Sequence, residues 1–227
     1  MTTSPAIEST GAPVVVAAGL QRSYGPTSVL TDANLIVEPG AELALTGRSG
    51  SGKTTLLLIL AGLLTAERGT VRWPGLATDP TTRRGQIGLV FQAPSLLPEL
   101  TAAENVALPL RLRGSSVAQA GAATQAALEV VGLLDAAAAM PAQLSGGMQQ
   151  RVAVARVLAG APRLVLADEP TGALDRDSAF TVLAALRDHV TAGGGALVVA
   201  THDEELAGLL ADRAVLDAGR LRSGARS

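Results

Sequence analysis

The sequence predicts an α/β domain built on a largely parallel sheet and interrupted by a helical insertion. Three observations carry that expectation. Apolar runs alternate with turn residues in strand-then-helix order. A glycine-rich loop, GRSGSGKT at residues 47–54, lies between a strand-like apolar run and a helical one. Between residues 93 and 161 the texture changes to alanine and leucine at helical spacing. A chain of 227 residues, 48% hydrophobic and 17% charged, is long enough for one such domain with its own core, and its composition is neither that of a disordered segment nor that of a solenoid.

Taken in order, the first dozen residues, MTTSPAIESTGA, have neither a basic stretch nor an apolar core; they read as a flexible tail over residues 1–12 ahead of a single domain over 13–227. VVVAAGLQRSY, VLTDANLIV and ELALTG read as the early strands, and TTLLLILAGLL as the helix that follows the glycine-rich loop. TVRW and IGLVFQ return to strand. The insertion then opens with TAAE at residues 101–104, a capping-box start for a helix. RLVLADEP and ALVVATHD resume the sheet, with DSAFTVLAALRDHV between them as a crossover helix. No internal repeat is visible, and no linker divides the chain.

Charge and cysteine content narrow the classes of partner. A net charge of -2 and a pI near 5.7 leave no electrostatic footprint for duplex nucleic acid. No apolar run reaches the roughly 18 residues of a membrane span. The longest, LLLILAGLL at residues 56–64, is bounded by Lys53 and Glu67, so any membrane span belongs to a partner. The absence of cysteine fits a reducing cytoplasm.

The loop at residues 47–54 satisfies the phosphate-binding pattern G-x-x-x-x-G-K-[ST] in full. Gly47, Gly50 and Gly52 let successive backbone N–H groups turn toward phosphate oxygens, and the helix that follows offers its positive end. Ser49 and Thr55 belong with the same nucleotide-binding set. Lys53 is the sole lysine among 18 basic residues, a compact and flexible ammonium kept where the loop needs to reach the β and γ phosphates. Thr54 suits Mg²⁺ through its hydroxyl. The plainer alternative is a glycine-rich turn with a solvated lysine. Downstream, LVLADEP delivers Asp168 and Glu169 to a strand end, where open α/β sheets bind ligands. Asp168 suits the metal, and Glu169 suits a base that orients water. Two adjacent acids after a strand are also a common helix-capping pair.

In order along the chain, GRSGSGKTT, FQ, LSGGMQQR, LVLADEPTGALD and THD resemble the ATP-binding subunit of an ABC (ATP-binding cassette) transporter, and the similarity covers nearly everything after the tail. LLPELTAAENVALPL further resembles the lipoprotein-releasing and macrolide-exporter branch, which includes a cell-division pair. The resemblance implies a P-loop NTPase (RecA-like) core with an N-terminal antiparallel β subdomain and an inserted α-helical subdomain at about residues 93–161. It implies ATP hydrolysis with Mg²⁺, a homodimer of ATPase subunits, a separate membrane permease as partner, and a place on the cytoplasmic face of the membrane.

The same resemblance assigns roles to single residues. Tyr24 matches the aromatic that stacks on adenine, although it also fits an ordinary strand aromatic. Gln92 matches the residue that contacts Mg²⁺ or the lytic water and links the site to the helical subdomain, and otherwise is a polar strand end. Glu169 matches the catalytic base, and His202 the histidine that contacts the γ-phosphate; a lone histidine also fits a satisfied structural role. Asp175 in GALD matches the loop that meets the opposing subunit. Ser145, Gly146 and Gly147 match a second anion site, which in the family closes over the partner subunit's ATP; the alternative is a glycine-rich N-cap. The fifth position of that signature, commonly glutamine, is Met148 here. The proline-marked stretch 93–110 reads either as the seat of a membrane partner's helix or as a packed loop and helix. Beside a transport motor stands a second reading, a regulator that signals its ATP state through a membrane partner. Soluble P-loop kinases lack the signature, and DNA-repair relatives carry long coiled coils that this chain does not.

Overall fold

A computed structural model describes residues 11–223. The tail expected over residues 1–12 lies, for its first ten residues, outside the described residues. Two sheets form. Strands β1 (Val15–Tyr24), β2 (Thr27–Val37) and β4 (Arg68–Arg72) make an antiparallel sheet in the order β2-β1-β4. Strands β3 (Glu42–Thr46), β5 (Ile87–Val90), β6 (Leu164–Asp168), β7 (Ala196–Ala200), β8 (Asp212–Asp217) and β9 (Arg220–Ser223) make the second, ordered β5-β6-β7-β3-β8-β9. Every pairing in the second sheet is parallel except β8 with β9.

The central strands are buried on both faces, as expected of a parallel sheet covered by helices. Alternation along them feeds two cores. Leu43, Leu45, Leu164, Leu166 and Val198 face α1 (Lys53–Leu60) and the antiparallel sheet. Val165, Ala167, Leu197 and Val199 face the helical side. That side holds α3 (Ala102–Leu112), α4 (Val117–Val130), α5 (Gly146–Leu158) and the crossover helix α6 (Arg176–Gly193). Two short helices, α2 (Pro80–Gly85) and α7 (Glu204–Ala207), complete the set.

Local chemistry sets the helix ends. Thr101 Oγ1 accepts from the Glu104 amide at 3.2 Å while Glu104 accepts from the Thr101 amide at 2.8 Å, a reciprocal capping box that starts α3. The apolar run after the glycine-rich loop extends to residue 64, yet α1 stops at Leu60. Gly62 turns left-handed at φ 70°, and the Leu63 amide reaches back to the Leu58 carbonyl at 2.9 Å, closing the helix with a Schellman-type turn. A buried Asn105 knots the segment that leads into α3. Its amide donates to the carbonyls of Leu97, Leu100 and Thr101 at 2.9–3.1 Å and its oxygen accepts from the Leu97 amide at 2.8 Å. No helix among the described residues is long and apolar enough to cross a membrane.

Candidate functional site

Strand β3 runs into the glycine-rich loop and the loop into α1, so the N-terminus of a helix faces the same end of the sheet as the carboxyl ends of β5, β6 and β7. Between them lies a cleft of about 460 Å³. Ser49, Gly50, Gly52, Lys53, Thr54 and Thr55 line one side, and Gln92, Asp168, Glu169 and His202 the other.

The loop holds its shape through close backbone approach. A Cβ on Gly52, which has φ 105°, would stand 2.6 Å from Val29 Cγ1, and one on Gly47 would stand 2.5 Å from the Leu216 carbonyl oxygen. Both positions therefore require glycine. Lys53 is buried, and its Nζ donates to the carbonyls of Gly47 at 2.8 Å and Arg48 at 3.3 Å. The ammonium is thus held folded against the loop, within the cleft.

Thr54 Oγ1 donates to Asp168 Oδ2 at 2.6 Å, which joins the start of α1 to the end of β6. Burial pushes the Asp168 carboxyl above its ordinary pKa; the Thr54 hydroxyl opposes this, the neighbouring Glu169 carboxylate adds to it, and the Lys53 ammonium opposes it. A carboxylate disfavoured by burial beside a hydroxyl is a pair of hard oxygen donors suited to Mg²⁺, which binds through one or two protein oxygens and completes its shell with phosphate and water. The residues present fit that ion.

Glu169 leaves β6 with φ 47°, a left-handed conformation that costs a non-glycine residue roughly 1–2 kcal/mol. Its amide donates to the Ala200 carbonyl at the end of β7 at 2.9 Å, and this bond fixes the turn. The side chain then meets His202, with Oε1 and Nδ1 2.9 Å apart. Glu169 is largely enclosed, at 12% side-chain exposure, whereas His202 stands at 76%. A carboxylate braced by an imidazole at the cleft mouth can accept a proton from a water placed there.

Other residues singled out in the sequence lie elsewhere. Tyr24 ends β1 half-exposed and is not among the cleft-lining residues; the Arg22 guanidinium sits 5.2 Å from its ring centroid. Ser145 caps α5, its hydroxyl accepting from the Met148 amide at 3.2 Å, and Gly146 has open space where a Cβ would be. Gly147 packs near Leu174. None of these three lines the cleft. Asp175 caps α6, accepting from the Ser178 amide at 2.9 Å and hydroxyl at 2.8 Å, and these bonds hold its carboxyl below the usual range. Sequence reasoning passed over Val29 and Ser51, which complete the cleft lining, and Gln150, whose buried amide holds the carbonyl of Phe91. Ser51 sat inside the quoted loop and Gln150 inside the quoted LSGGMQQR, whereas nothing local marked Val29.

A second hollow, of about 630 Å³, lies where α3 meets β5. Phe91, Leu97, Leu108 and Leu112 line it, with Arg84, Arg113 and Arg156 also among its residues. Arg156 donates to the carbonyls of Pro94 and Ser95, both at 2.9 Å, and so fixes one wall.

Residues 30–172 match the ABC transporter family. The lipoprotein-releasing system ATP-binding protein LolD of Maricaulis maris is 46% identical over 83% of this chain and 87% of its own length. The methionine import ATP-binding protein MetN of Rhizobium etli is 43% identical over 89% of this chain, which spans 58% of that longer relative. Among solved structures, the dimeric ATP-binding cassette MJ0796 in a post-hydrolysis state bound to ADP and Pi superposes with a TM-score of 0.83 at 34% identity, covering 92% of this chain and 97% of that one.

Proposed function

From a chain that belongs to the ABC transporter family of ATP-binding subunits, we propose an ATP-hydrolysing motor: two chains bind two ATP molecules head to tail and couple hydrolysis to conformational work on a separate membrane permease. The observation that carries this reading is the separation of two anion-binding features. The cleft gathers Lys53, Thr54, Asp168, Glu169 and His202, while Ser145 and its helix N-terminus lie outside it. A cleft of this kind wraps a nucleotide from one side. The second feature is then free to close on the γ-phosphate of an ATP held by a partner chain.

Within the cleft, loop amides and Lys53 bind the β and γ phosphates, with the helix dipole of α1 adding to the attraction. Thr54 and Asp168 would hold Mg²⁺, which when bound would offset the charge of the phosphates. Glu169 accepts the proton of the attacking water, and His202 orients that carboxylate while facing the γ-phosphate. Gln92 approaches the same water from the end of β5. Tyr24 supplies an aromatic face for adenine, and Asp175, at the start of α6, meets the opposing subunit.

Closure on ATP and opening after hydrolysis form a population shift driven by the difference in nucleotide affinity between the two dimer states. The hollow around Leu97 and Phe91 receives a helix of the permease, which places the subunit on the cytoplasmic face of the membrane. The ATPase domain spans residues 13–227, with its helical subdomain at about residues 93–161. Co-purification with a membrane protein, followed by ATP-dependent transport in vesicles, tests the motor reading. An ATPase that binds such a partner and drives no transport would make it a regulator instead.

A further inference from the structure

The helix that follows His202, α7, has four residues, and a helix of that length does not hold its own shape in water. Its place depends on what grips it. Asp203 caps it, accepting from the Glu205 amide at 2.9 Å and the Leu206 amide at 3.2 Å. Ahead of His202 the Thr201 amide donates to the Leu45 carbonyl of β3 at 3.2 Å. Behind it the grip comes from β8. Arg213 Nη2 donates to Glu204 Oε1 and its Nη1 meets Glu204 Oε2, both at 2.6 Å, a bidentate pair. The same guanidinium donates through Nε to Thr46 Oγ1 at 3.3 Å; Thr46 is buried, ends β3 and directly precedes Gly47.

We propose that Arg213 is a positioning residue for hydrolysis, which sets His202 against the phosphate loop by holding Glu204, two residues after His202, and Thr46, one residue before Gly47, on a single planar group. The inference rests on the role given above to His202. Its physical basis is the rigidity of the guanidinium: the N–H groups lie in one plane at fixed angles, so two acceptors bonded to it are fixed relative to each other. A lysine ammonium would bond either acceptor without fixing both. A second arginine also reaches α7, Arg176 at the start of α6, which pairs with Glu205. Those two side chains are 71% and 53% exposed, the setting in which an ion pair contributes least. Arg213 is 31% exposed and holds a buried hydroxyl as well, so it is the arginine that locates the segment. The bond to Arg213 is also the chief reason that the Glu204 carboxyl lies below its usual range, which keeps the pair ionised at neutral pH. Any displacement of His202 disturbs Glu169 Oε1, 2.9 Å from its ring, and misplacement by about 1 Å near a reacting centre costs up to about 10²-fold in rate.

The test reads nucleotide affinity with a fluorescent ATP analogue and hydrolysis in single turnover, which resolves slow residual rates, on the full chain. Arg213→Lys keeps the charge and removes the planar fork. It should leave nucleotide affinity within about twofold and lower the hydrolysis rate about tenfold, the worth of one charge-assisted hydrogen bond. Glu204→Gln approaches the pair from an exposed side chain, where the fold is at little risk, and should lower the rate in the same direction at constant affinity. In a His202→Ala background Arg213→Lys should have little further effect, because Arg213 acts through that residue. A parent rate in either Arg213→Lys or Glu204→Gln, affinity lost in step with rate, or multiplying losses in the double variant would reduce Arg213 to a strut of the sheet. An undiminished rate in His202→Ala alone would instead remove the role of His202 and with it the premise.

Discussion

Glu169 and His202 meet at 2.9 Å across the ends of neighbouring strands β6 and β7, and the Glu169 amide is tied to the Ala200 carbonyl beside them. A carboxylate held in this way by its own backbone and by an imidazole is fixed in place to take a proton from water at the cleft mouth. Glu169→Gln should therefore keep ATP affinity and lower hydrolysis by about 10²–10⁴-fold, the usual worth of a general base. Rapid-quench single turnover measures the step, and gel filtration should find the variant trapped as an ATP-bound dimer. Hydrolysis near the parent rate would take Glu169 out of the role.

Asp168 gives a prediction in pH. Its carboxyl is raised chiefly by burial, so the native state binds the proton more tightly than the unfolded chain does, and stability falls as pH rises through the interval above the ordinary value of 3.8. The penalty is complete once pH exceeds the raised native value. Asp168→Asn should consequently melt at a higher temperature than the parent at pH 7 without nucleotide, with the difference shrinking as pH approaches the ordinary carboxylate value, and should lose Mg²⁺-dependent hydrolysis. Calorimetry across pH checks the sign; a lower melting point at pH 7 would contradict it.

The Asn105 knot predicts a structural cost at a distance from the chemistry. Asn105→Ala leaves the carbonyls of Leu97, Leu100 and Thr101 without this donor in a buried setting, which should destabilise the protein by about 2–3 kcal/mol. Urea unfolding measures it. A loss below about 0.5 kcal/mol, the ordinary range for surface changes, would mean that water or neighbouring groups replace the amide.

Leu97 is exposed at the hollow beside α3. Leu97→Asp should spare nucleotide binding and hydrolysis in the isolated chain and lower activity in complex with the permease, where an unpaired carboxylate would be buried. Equal loss in both settings would indicate damage to the fold and none to docking.

Much of this architecture was legible in the sequence because its signals are contiguous. The loop at residues 47–54, the acids after LVLAD and the TAAE cap each contain their own physics within a few residues. The cleft brings Gln92, Asp168, Glu169 and His202 together from three strand ends, in keeping with the rule that places ligands at the carboxyl edge of an open sheet. What escaped depended on tertiary approach. Val29 matters because β2 passes above Gly52, and Gln150 because α5 crosses the chain at Phe91; neither relation has a local pattern. The left-handed turn at Glu169 is set by its bond to Ala200 on another strand, which propensity cannot register. Asp175 caps α6 through bonds to Ser178, and that capping is a local feature, three residues apart in the chain.

In the proposed dimer each ATP is completed by the Ser145 feature of the opposite chain. Lys53→Ala and Ser145→Arg, made separately and then together on one chain, test it in tagged heterodimers isolated with the membrane partner or a covalent link. Pairing the two single variants concentrates both lesions in one site and leaves the other intact; pairing the double variant with the parent puts one lesion in each site. Single-turnover hydrolysis should persist in the first heterodimer and vanish in the second. Hydrolysis in the second and none in the first would mean that each chain completes its own site.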